Sequence, residues 1–210
     1  MSERNVIYLA DPMCSWCWGF SPEIGAIKQR FRDAFPIRLI MGGLRPGTTK
    51  PLDDAGKRTI REHWEHVHEA SGQPFDMRFF DRDGFVYDTE PASRAVVVLR
   101  RIGTEQALSY LHLVHQAFYA HNRDITDEEV LGDVAVEAGV QRQEFLNAFR
   151  SDDAKQEIRT DFAIAQRAGI RGFPTLLAGV GDRAEYAIVT QGYQPAARII
   201  PELERWMQRN

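Results

Sequence analysis

The strand-forming segments of this chain lie near its two ends, and more than a hundred residues without strand character separate them. Two strand signals come before this gap and two follow it: residues 5–10, 37–44, 175–178 and 186–191. The first of these, NVIYLA, lacks alternation and so predicts a strand that is buried on both faces. A helical pattern that begins at Ser21 connects the first two strands, so the start of the chain predicts a right-handed βαβ unit.

The long segment between the two pairs of strands carries helical patterns. Six of them follow one another, over residues 59–70, 91–102, 105–120, 127–138, 143–149 and 154–168. Gly103 and Gly139 lie where helix C-caps are expected, and Thr126 is expected to cap the helix that starts at residue 127. The sequence therefore predicts an all-helical block between the second and third strands.

The end of the chain predicts a hairpin and a last helix. Residues 179–185 are polar and contain glycine, as is typical of a hairpin linker. Over residues 196–207 the apolar side chains share one helical face. Pro201 interrupts this pattern, so the helix is either kinked at Pro201 or begins there.

The complete order of elements indicates the fold class. It is strand, helix, strand, helical block, strand, strand, helix, which predicts an α/β chain: a thioredoxin fold split after its second strand by an all-helical insertion. We expect residues 1–45 and 171–210 to form the discontinuous thioredoxin-fold domain. Residues 46–170 are then the inserted helical domain.

Both cysteines of the chain lie in the stretch DPMCSWCWGF, directly after the first strand. A disulfide between Cys14 and Cys17 would close a very short loop and so would stabilise the fold very little. Reversible redox chemistry and metal binding remain as roles for the pair. At the start of the following helix, Cys14 is placed where the helix dipole favours a thiolate. Cys17, one turn later, is placed to attack a mixed disulfide formed at Cys14.

The histidines bear on the metal alternative. His112 and His115 form an HxxH pattern, but they lie about a hundred residues from the cysteines within a helical pattern, unlike the ligands of zinc fingers. His63, His66 and His68 are close in sequence, yet on a helix His68 is turned away from the other two, so a solvated helix face is expected. The sequence therefore favours redox chemistry over zinc, and we predict no metal site.

Charge and hydropathy exclude several classes of partner. The net charge of −4 is mild, and the basic residues are scattered among acidic ones, so nucleic-acid binding is not expected. The start of the chain lacks the features of a signal peptide, and the longest apolar run, residues 95–99, is too short to span a bilayer. We therefore expect a cytoplasmic protein without membrane partners, a monomer by default, in a compartment that favours disulfide reduction or isomerisation.

Three separated pieces of sequence resemble the DsbA-like branch of the thioredoxin superfamily: the strand that runs into CSWC, the helical block, and GIRGFPT at residues 169–175. The stretches DPMCSWCWGF, GGLR, SGQPF and TEPASRAV resemble its cytosolic subgroup of FrnE-like proteins, predicted protein-disulfide isomerases. The resemblance covers nearly the whole chain. It implies that Cys14 is the exposed nucleophile, that Cys17 is the buried resolving cysteine, and that Pro174 is a cis-proline facing them. Ser15 and Trp16 replace the Pro-His pair of the periplasmic oxidant, so strong oxidising power is not implied.

The side chains near the cysteines have expected roles in such a fold. Trp16 is expected at the mouth of the site, where it offers an apolar face to an unfolded peptide, whereas Trp18 fits the core. The backbone of Phe173 is expected to pair with an extended substrate strand while Pro174 packs near the nucleophilic sulfur. Asp11 either caps the following helix or opposes thiolate formation, and capping is favoured.

These features predict a thiol–disulfide oxidoreductase of the reductase or isomerase type that acts on protein or peptide thiols. It needs no cofactor beyond the Cys14–Cys17 pair, a cellular thiol reductant or oxidant is its redox partner, and glutathione is a candidate co-substrate. The alternative is a glutathione-dependent transferase or isomerase of the kappa or hydroxychromene-carboxylate-isomerase type, which uses serine at the first cysteine position. A third hypothesis is a chaperone-like module in which the helical block and Trp16 bind unfolded chains.

Overall fold

A four-stranded sheet forms the framework of the computed structural model, which describes residues 4–181 and 186–209. The strands are β1 (Arg4–Ala10), β2 (Ile37–Met41), β3 (Thr175–Val180) and β4 (Tyr186–Gln191), and their order in the sheet is β2-β1-β3-β4. β1 pairs in parallel with β2 and antiparallel with β3, and β3 pairs antiparallel with β4. The predicted βαβ unit and the later return of the chain to the same sheet are confirmed.

The central strand β1 leads directly to the cysteines. Its residues from Asn5 to Ala10 are buried, as predicted for a strand covered on both faces. Because β2 and β3 bond to it on either side, the backbone of β1 has little freedom. The chain leaves β1 at Ala10, so the cysteines lie at the carboxyl end of the most constrained strand of the sheet.

Two consecutive helices connect β1 to β2. The first, α1 (Ser15–Gly19), has five residues, and the second, α2 (Ser21–Phe31), has a proline in its first turn as predicted. Phe20 joins them with helical backbone angles, and its N–H donates to the Trp16 carbonyl at 2.9 Å. The cysteine motif therefore begins a short helix of its own, directly before the helix that the sequence predicts from Ser21.

The predicted helical block is confirmed. Its α-helices are α3 (Asp54–Ser71), α4 (Glu90–Arg100), α5 (Thr104–His115), α6 (Glu128–Glu137), α7 (Arg142–Arg150) and α8 (Asp152–Arg167). Short 3-10 turns occur at Arg32–Ala34, after α2, and at Met77–Asp81, within the block. The helix predicted over residues 105–120 is continuous only to His115, because residues Gln116–Ala120 form a π-helical turn. This turn carries buried aromatic residues toward the cysteine motif.

The predicted cap of α6 is wrong by one residue. Asp127, not Thr126, is the N-cap, and its carboxylate accepts a 2.9 Å hydrogen bond from the Glu129 N–H. The Thr126 hydroxyl instead donates to the Asp124 carboxylate at 2.6 Å. A carboxylate in this place also interacts favourably with the positive end of the helix dipole, which an uncharged hydroxyl does not.

The last helix, α9 (Ala196–Arg209), runs through Pro201. Of the two alternatives for this segment, a helix that begins at Pro201 is therefore wrong. β3 extends to Val180, two residues beyond its predicted end, and β4 has its predicted bounds. Residues 182–185 of the predicted hairpin linker lie outside the described part of the chain.

The free edge of β2 is covered by charged side chains from the helical block. Arg100 of α4 donates to the Leu39 carbonyl at 2.8 Å, and the Asp161 carboxylate of α8 accepts from the Met41 N–H at 2.9 Å. Arg100 and Asp161 also pair with each other at 2.6 Å. An uncovered edge strand presents unpaired backbone groups, and this ion pair bonds two of those at the edge of β2.

The hydrophobic core is continuous from the sheet into the helical block. Trp64 of α3 is fully buried at the centre of an aromatic cluster whose other members are Phe75, Phe79, Phe80, Phe118 and Tyr119. Within residues 4–181 and 186–209, no helix has the length and apolar character needed to cross a membrane.

Candidate active site

The cysteine motif lies where β1 passes into α1. Cys14 is the N-cap of α1 with an extended backbone, and its N–H donates to the Asp11 carbonyl at 3.1 Å. The Cys14 carbonyl in turn accepts from the N–H groups of Cys17 and Trp18, at 2.9 and 3.1 Å. Both thiols are free. The strand-to-helix turn therefore places the first cysteine at the amino end of the helix and the second one turn into it.

Both cysteines are buried, Cys17 completely and Cys14 with 6% of its surface exposed. The burial of Cys17 agrees with the resemblance, but the exposed nucleophile that it implies is not found, because Cys14 faces the loop before β3. Its thiol donates to the carbonyl of Phe173 at 3.4 Å.

The Cys17 thiol is held in its protonated form. Burial raises the pKa of this thiol well above its ordinary value, and a hydrogen bond with Cys14 raises it further. The charge of Asp11 acts in the same direction, while a backbone hydrogen bond from Asp11 opposes it. Tyr8 of β1 also forms a hydrogen bond with the Cys17 thiol. Cys17 is consequently the less reactive of the two thiols until a disulfide forms beside it.

The loop before β3 faces Cys14 through a cis peptide bond between Phe173 and Pro174. The resemblance implies this bond. Instead of being free for a substrate strand, the Phe173 carbonyl accepts the Cys14 thiol, and the Phe173 ring packs over Gly42 at the end of β2. Gly42 therefore borders the site.

The two tryptophans of the motif differ in exposure and in the residues they contact. Trp16 is partly exposed and its ring packs against Tyr193 at 5.7 Å between centroids. Trp18 is 3% exposed, stacks on Tyr119, and donates from its ring N–H to the Pro74 carbonyl at 3.0 Å. The expectation that Trp18 belongs to the core is confirmed, and Trp16 has the accessible position expected of a substrate contact.

Asp11 does not cap the helix, so the favoured hypothesis for this residue is wrong. Its fully buried carboxylate accepts hydrogen bonds from the N–H groups of Met13 and Leu44, at 2.9 and 2.7 Å. Burial raises the pKa of Asp11 to about 6, and these two hydrogen bonds oppose the shift. Asp11 therefore ties the loop before Cys14 to the segment after β2, and its charge opposes a thiolate at Cys17.

Tyr87 and His115 of the helical block donate hydrogen bonds to backbone carbonyls just before Cys14, and neither has a local signal in the sequence. The Tyr87 hydroxyl donates to the Met13 carbonyl at 2.7 Å, and Nε2 of His115 donates to the Asp11 carbonyl at 3.2 Å. Both side chains are buried. In the sequence, the HxxH pattern suggests only a metal-binding role for His115. Its proximity to Cys14 arises from tertiary packing, which no sequence pattern shows.

The other histidines do not approach the cysteines. His63, His66 and His68 are exposed on α3, which confirms the predicted solvated helix face. His112 bonds the Ser21 hydroxyl through Nδ1 at 2.8 Å. Among the residues that the structure describes, no three His, Cys, Asp or Glu side chains are grouped to bind a metal ion.

Solved structures share this architecture over its whole length. A candidate protein disulfide isomerase from Nitrosomonas europaea is 35% identical, with a TM-score of 0.92 and 99% of each chain covered. The cytosolic disulfide reductase DsbM from Pseudomonas aeruginosa is 24% identical, with a TM-score of 0.78 and coverage of 98% of this chain and all of that chain. The second likeness shows the fold alone.

The curated relatives and the family comparison extend this result. The chain is 26% identical over 173 residues to the ClpXP adapter protein SpxH of Bacillus subtilis, a match to 82% of this chain. The match spans only 57% of the length of that relative. A sequence model of the DsbA-like thioredoxin domain matches residues 5–195. The chain therefore belongs to the DsbA-like thioredoxin-domain family.

Proposed function

We propose that this protein is a thiol–disulfide oxidoreductase of the reductase or isomerase type, which exchanges disulfides with protein or peptide thiols through Cys14 and Cys17. One observation carries this proposal. Cys14 lies at the amino end of α1 with 6% of its surface exposed, and the fully buried Cys17 hydrogen-bonds it from one turn further on. This asymmetry fits one thiol that meets the substrate and a second that resolves the intermediate.

Reduction of a substrate disulfide takes two exchange steps in this mechanism. The Cys14 thiolate attacks one substrate sulfur, the substrate S–S bond breaks, and the leaving sulfur takes a proton from solvent. Cys17 then loses its proton to solvent and attacks the Cys14 sulfur, which releases the second substrate thiol and forms the Cys14–Cys17 disulfide. Two electrons pass to the substrate, and a cellular thiol reductant returns the pair to the dithiol.

The residues beside Cys14 support a peptide substrate. Trp16 offers a partly exposed ring within the motif, and Phe173, joined to Pro174 by a cis peptide bond, contacts the Cys14 thiol. During exchange the Phe173 carbonyl loses the Cys14 S–H donor, which leaves it to accept an N–H from an extended substrate strand. We assign substrate binding to Trp16, Phe173 and Pro174. The inserted helical domain, residues 46–170, would shape the groove that holds the substrate. Residues 1–45 and 171–210 would form the thioredoxin-fold domain.

The neighbours support a cytoplasmic role with glutathione as co-substrate. One solved neighbour is named a cytosolic disulfide reductase, and it also has a structure with GSH. The reducing glutathione pool of the cytoplasm would then regenerate the dithiol. We propose no metal or other cofactor, no nucleic-acid or membrane partner, and a monomeric state.

Turnover of insulin disulfides in a glutathione-coupled assay tests the proposal. Cys14→Ser removes the attacking sulfur and is expected to abolish turnover, while Cys17→Ser is expected to trap a mixed disulfide that mass spectrometry detects. Ser15→Ala, between them in the motif, is the matched control and should retain turnover. Full activity in the Cys17→Ser variant together with tight glutathione binding would favour the glutathione-dependent transferase or isomerase instead.

An adapter role is the second candidate, because the SpxH relatives of two Bacillus species each match 82% of this chain. An adapter binds its client through a surface and needs no dithiol chemistry. A variant with both Cys14→Ser and Cys17→Ser would then still accelerate degradation of a client by ClpXP. Loss of turnover without loss of this stimulation would favour the adapter, and the same variant tests the chaperone-like alternative by suppression of aggregation.

A further inference from the structure

The loop that precedes the nucleophile is held by the helical block. The Tyr87 hydroxyl donates to the Met13 carbonyl at 2.7 Å, and His115 donates to the Asp11 carbonyl at 3.2 Å. The two donors come from separate places in the block, the segment before α4 and the end of α5. Both are enclosed, with 4% and 1% of their surfaces exposed.

These two carbonyls belong to the peptide units that carry the redox pair. The Met13 carbonyl is bonded covalently to the nitrogen of Cys14. The Asp11 carbonyl accepts the Cys14 N–H at 3.1 Å as well as His115, and the backbone of Asp11 also hydrogen-bonds Cys17. A rotation of either peptide would therefore move the Cys14 sulfur relative to Cys17.

Both donors are neutral over the physiological range. Burial lowers the pKa of His115 to about 3, so its ring is uncharged, and donation to a carbonyl fixes the proton on Nε2. Burial likewise raises the pKa of the Tyr87 hydroxyl. Each residue is therefore a permanent N–H or O–H dipole whose positive end points at the loop before Cys14.

We propose that Tyr87 and His115 are positioning residues that set the equilibrium between the dithiol and disulfide forms of the Cys14–Cys17 pair. This inference rests on the proposed function. Both thiols are free in the structure, so the hydrogen bonds from Tyr87 and His115 hold the loop before Cys14 in the geometry of the dithiol form. Loss of either dipole makes the disulfide form more favourable, so the reduction potential becomes more negative.

Tyr87→Phe tests the first donor because the chain offers a matched control. The Tyr110 hydroxyl of α5 is also fully buried and donates to a backbone carbonyl, that of Leu131, at 2.9 Å, but in the interior of the helical block. Both variants lose one buried hydrogen bond to a backbone carbonyl, and Tyr87→Phe also loses a hydrogen bond with Tyr119. In glutathione buffers, Tyr87→Phe is expected to shift the dithiol–disulfide equilibrium three- to tenfold toward the disulfide, or about 15 to 30 mV. Tyr110→Phe should stay within twofold of the wild type.

His115 provides a second test that includes rescue. His115→Leu removes the donor and is expected to shift the equilibrium in the same direction as Tyr87→Phe. His115→Gln retains an N–H donor near Nε2 and should lie closer to the wild type than His115→Leu does. If one substitution prevents folding, as judged by circular dichroism, the other position decides.

The outcomes separate this inference from the proposed function. A wild-type midpoint that neither Tyr87→Phe nor His115→Leu changes would overturn the positioning role and leave the redox role intact. Equal shifts in Tyr87→Phe and Tyr110→Phe would also overturn it, because the effect would then follow from stability alone. Failure of the wild-type protein to form the disulfide at any glutathione ratio would instead overturn the proposed function.

Discussion

Gly42 and Gly25 are two glycines whose surroundings are opposite. A Cβ atom at Gly42 would overlap the ring of Phe173, whereas a Cβ atom at Gly25, inside α2, would meet nothing within 4 Å. Gly42 is therefore required by close packing at the edge of the candidate active site. Gly25 has no such packing role. It only lowers the stability of α2, because glycine loses more conformational freedom on folding than other residues do.

Gly42→Ala and Gly25→Ala should consequently change stability in opposite directions. Gly42→Ala is expected to destabilise the fold by about 1 to 3 kcal/mol through overpacking, and to lower turnover because Phe173 must move. Gly25→Ala is expected to stabilise it by about 0.5 to 1 kcal/mol without an effect on turnover. Urea denaturation and the insulin assay measure both effects, and a Gly42→Ala variant with wild-type stability would contradict the packing described here.

The buried carboxylate of Asp11 gives stability a specific dependence on pH. Its pKa in the folded protein is about 6, above the ordinary value of 3.8, so the folded state holds the proton more tightly than the unfolded state. The contribution of Asp11 is therefore fully present below pH 4 and is lost as the pH rises toward 6, by about 3 kcal/mol.

Asp11→Asn isolates this contribution. The free energy of unfolding of the wild type, minus that of the variant, is expected to fall by about 3 kcal/mol between pH 3 and pH 7. His115, whose pKa is lowered by burial, acts in the opposite sense over an overlapping range but is present in both proteins, so it cancels. Parallel pH profiles for the two proteins would show that the Asp11 carboxylate is not desolvated in the way described.

At the scale of elements, the edge of β2 depends on a partly buried network of charged side chains. Asp161→Ala leaves the Met41 N–H without its acceptor, while Arg100 keeps Glu157 as a partner at 3.1 Å. Asp161→Ala is therefore expected to destabilise the protein by about 1 to 3 kcal/mol. Asp152→Ala, which removes an exposed carboxylate paired with Lys155, is the control and should leave the urea midpoint nearly unchanged.

Most elements could be predicted from the sequence because each has a local signal. Apolar runs indicated the four strands, and glycine and proline indicated the ends of the long helices. The prediction failed where a competing local interaction decided the outcome. Asp127 supplied a better cap for α6 than Thr126, and the π-helical turn after His115 left no trace in the apolar pattern. The start of the last helix could not be predicted, because Pro201 is compatible with either a kink or a helix start.

At the scale of the whole molecule, the candidate site combines residues of two kinds. The cysteines and the Phe173–Pro174 pair could be predicted, because a motif or a resemblance identifies them. Tyr87 and His115 could not, because they meet the cysteine loop only through the packing of the helical block on the sheet. The role of Asp11 was misjudged for the same reason: its acceptor role toward Leu44 depends on a contact 33 positions away in the sequence.

The packing also explains how the helical block and the redox pair belong to one unit. Arg100 and Asp161 bond the edge of β2, and Tyr87 and His115 bond the loop after β1. The edge of β2 and the loop after β1 are thus both hydrogen-bonded to the helical block. The geometry of Cys14 relative to Cys17 is therefore a property of the whole chain rather than of the motif alone.

The most direct test of this account is the reduction potential of the wild-type protein, measured in glutathione buffers by tryptophan fluorescence and by mass spectrometry after alkylation. The Cys14–Cys17 pair is expected to show one reversible two-electron transition that involves both cysteines and is absent in Cys14→Ser. A midpoint of about −270 mV would indicate a reductase, and one of about −180 mV an isomerase. If both thiols stayed free at every glutathione ratio, the claim that Cys14 and Cys17 form a reversible redox pair would be wrong.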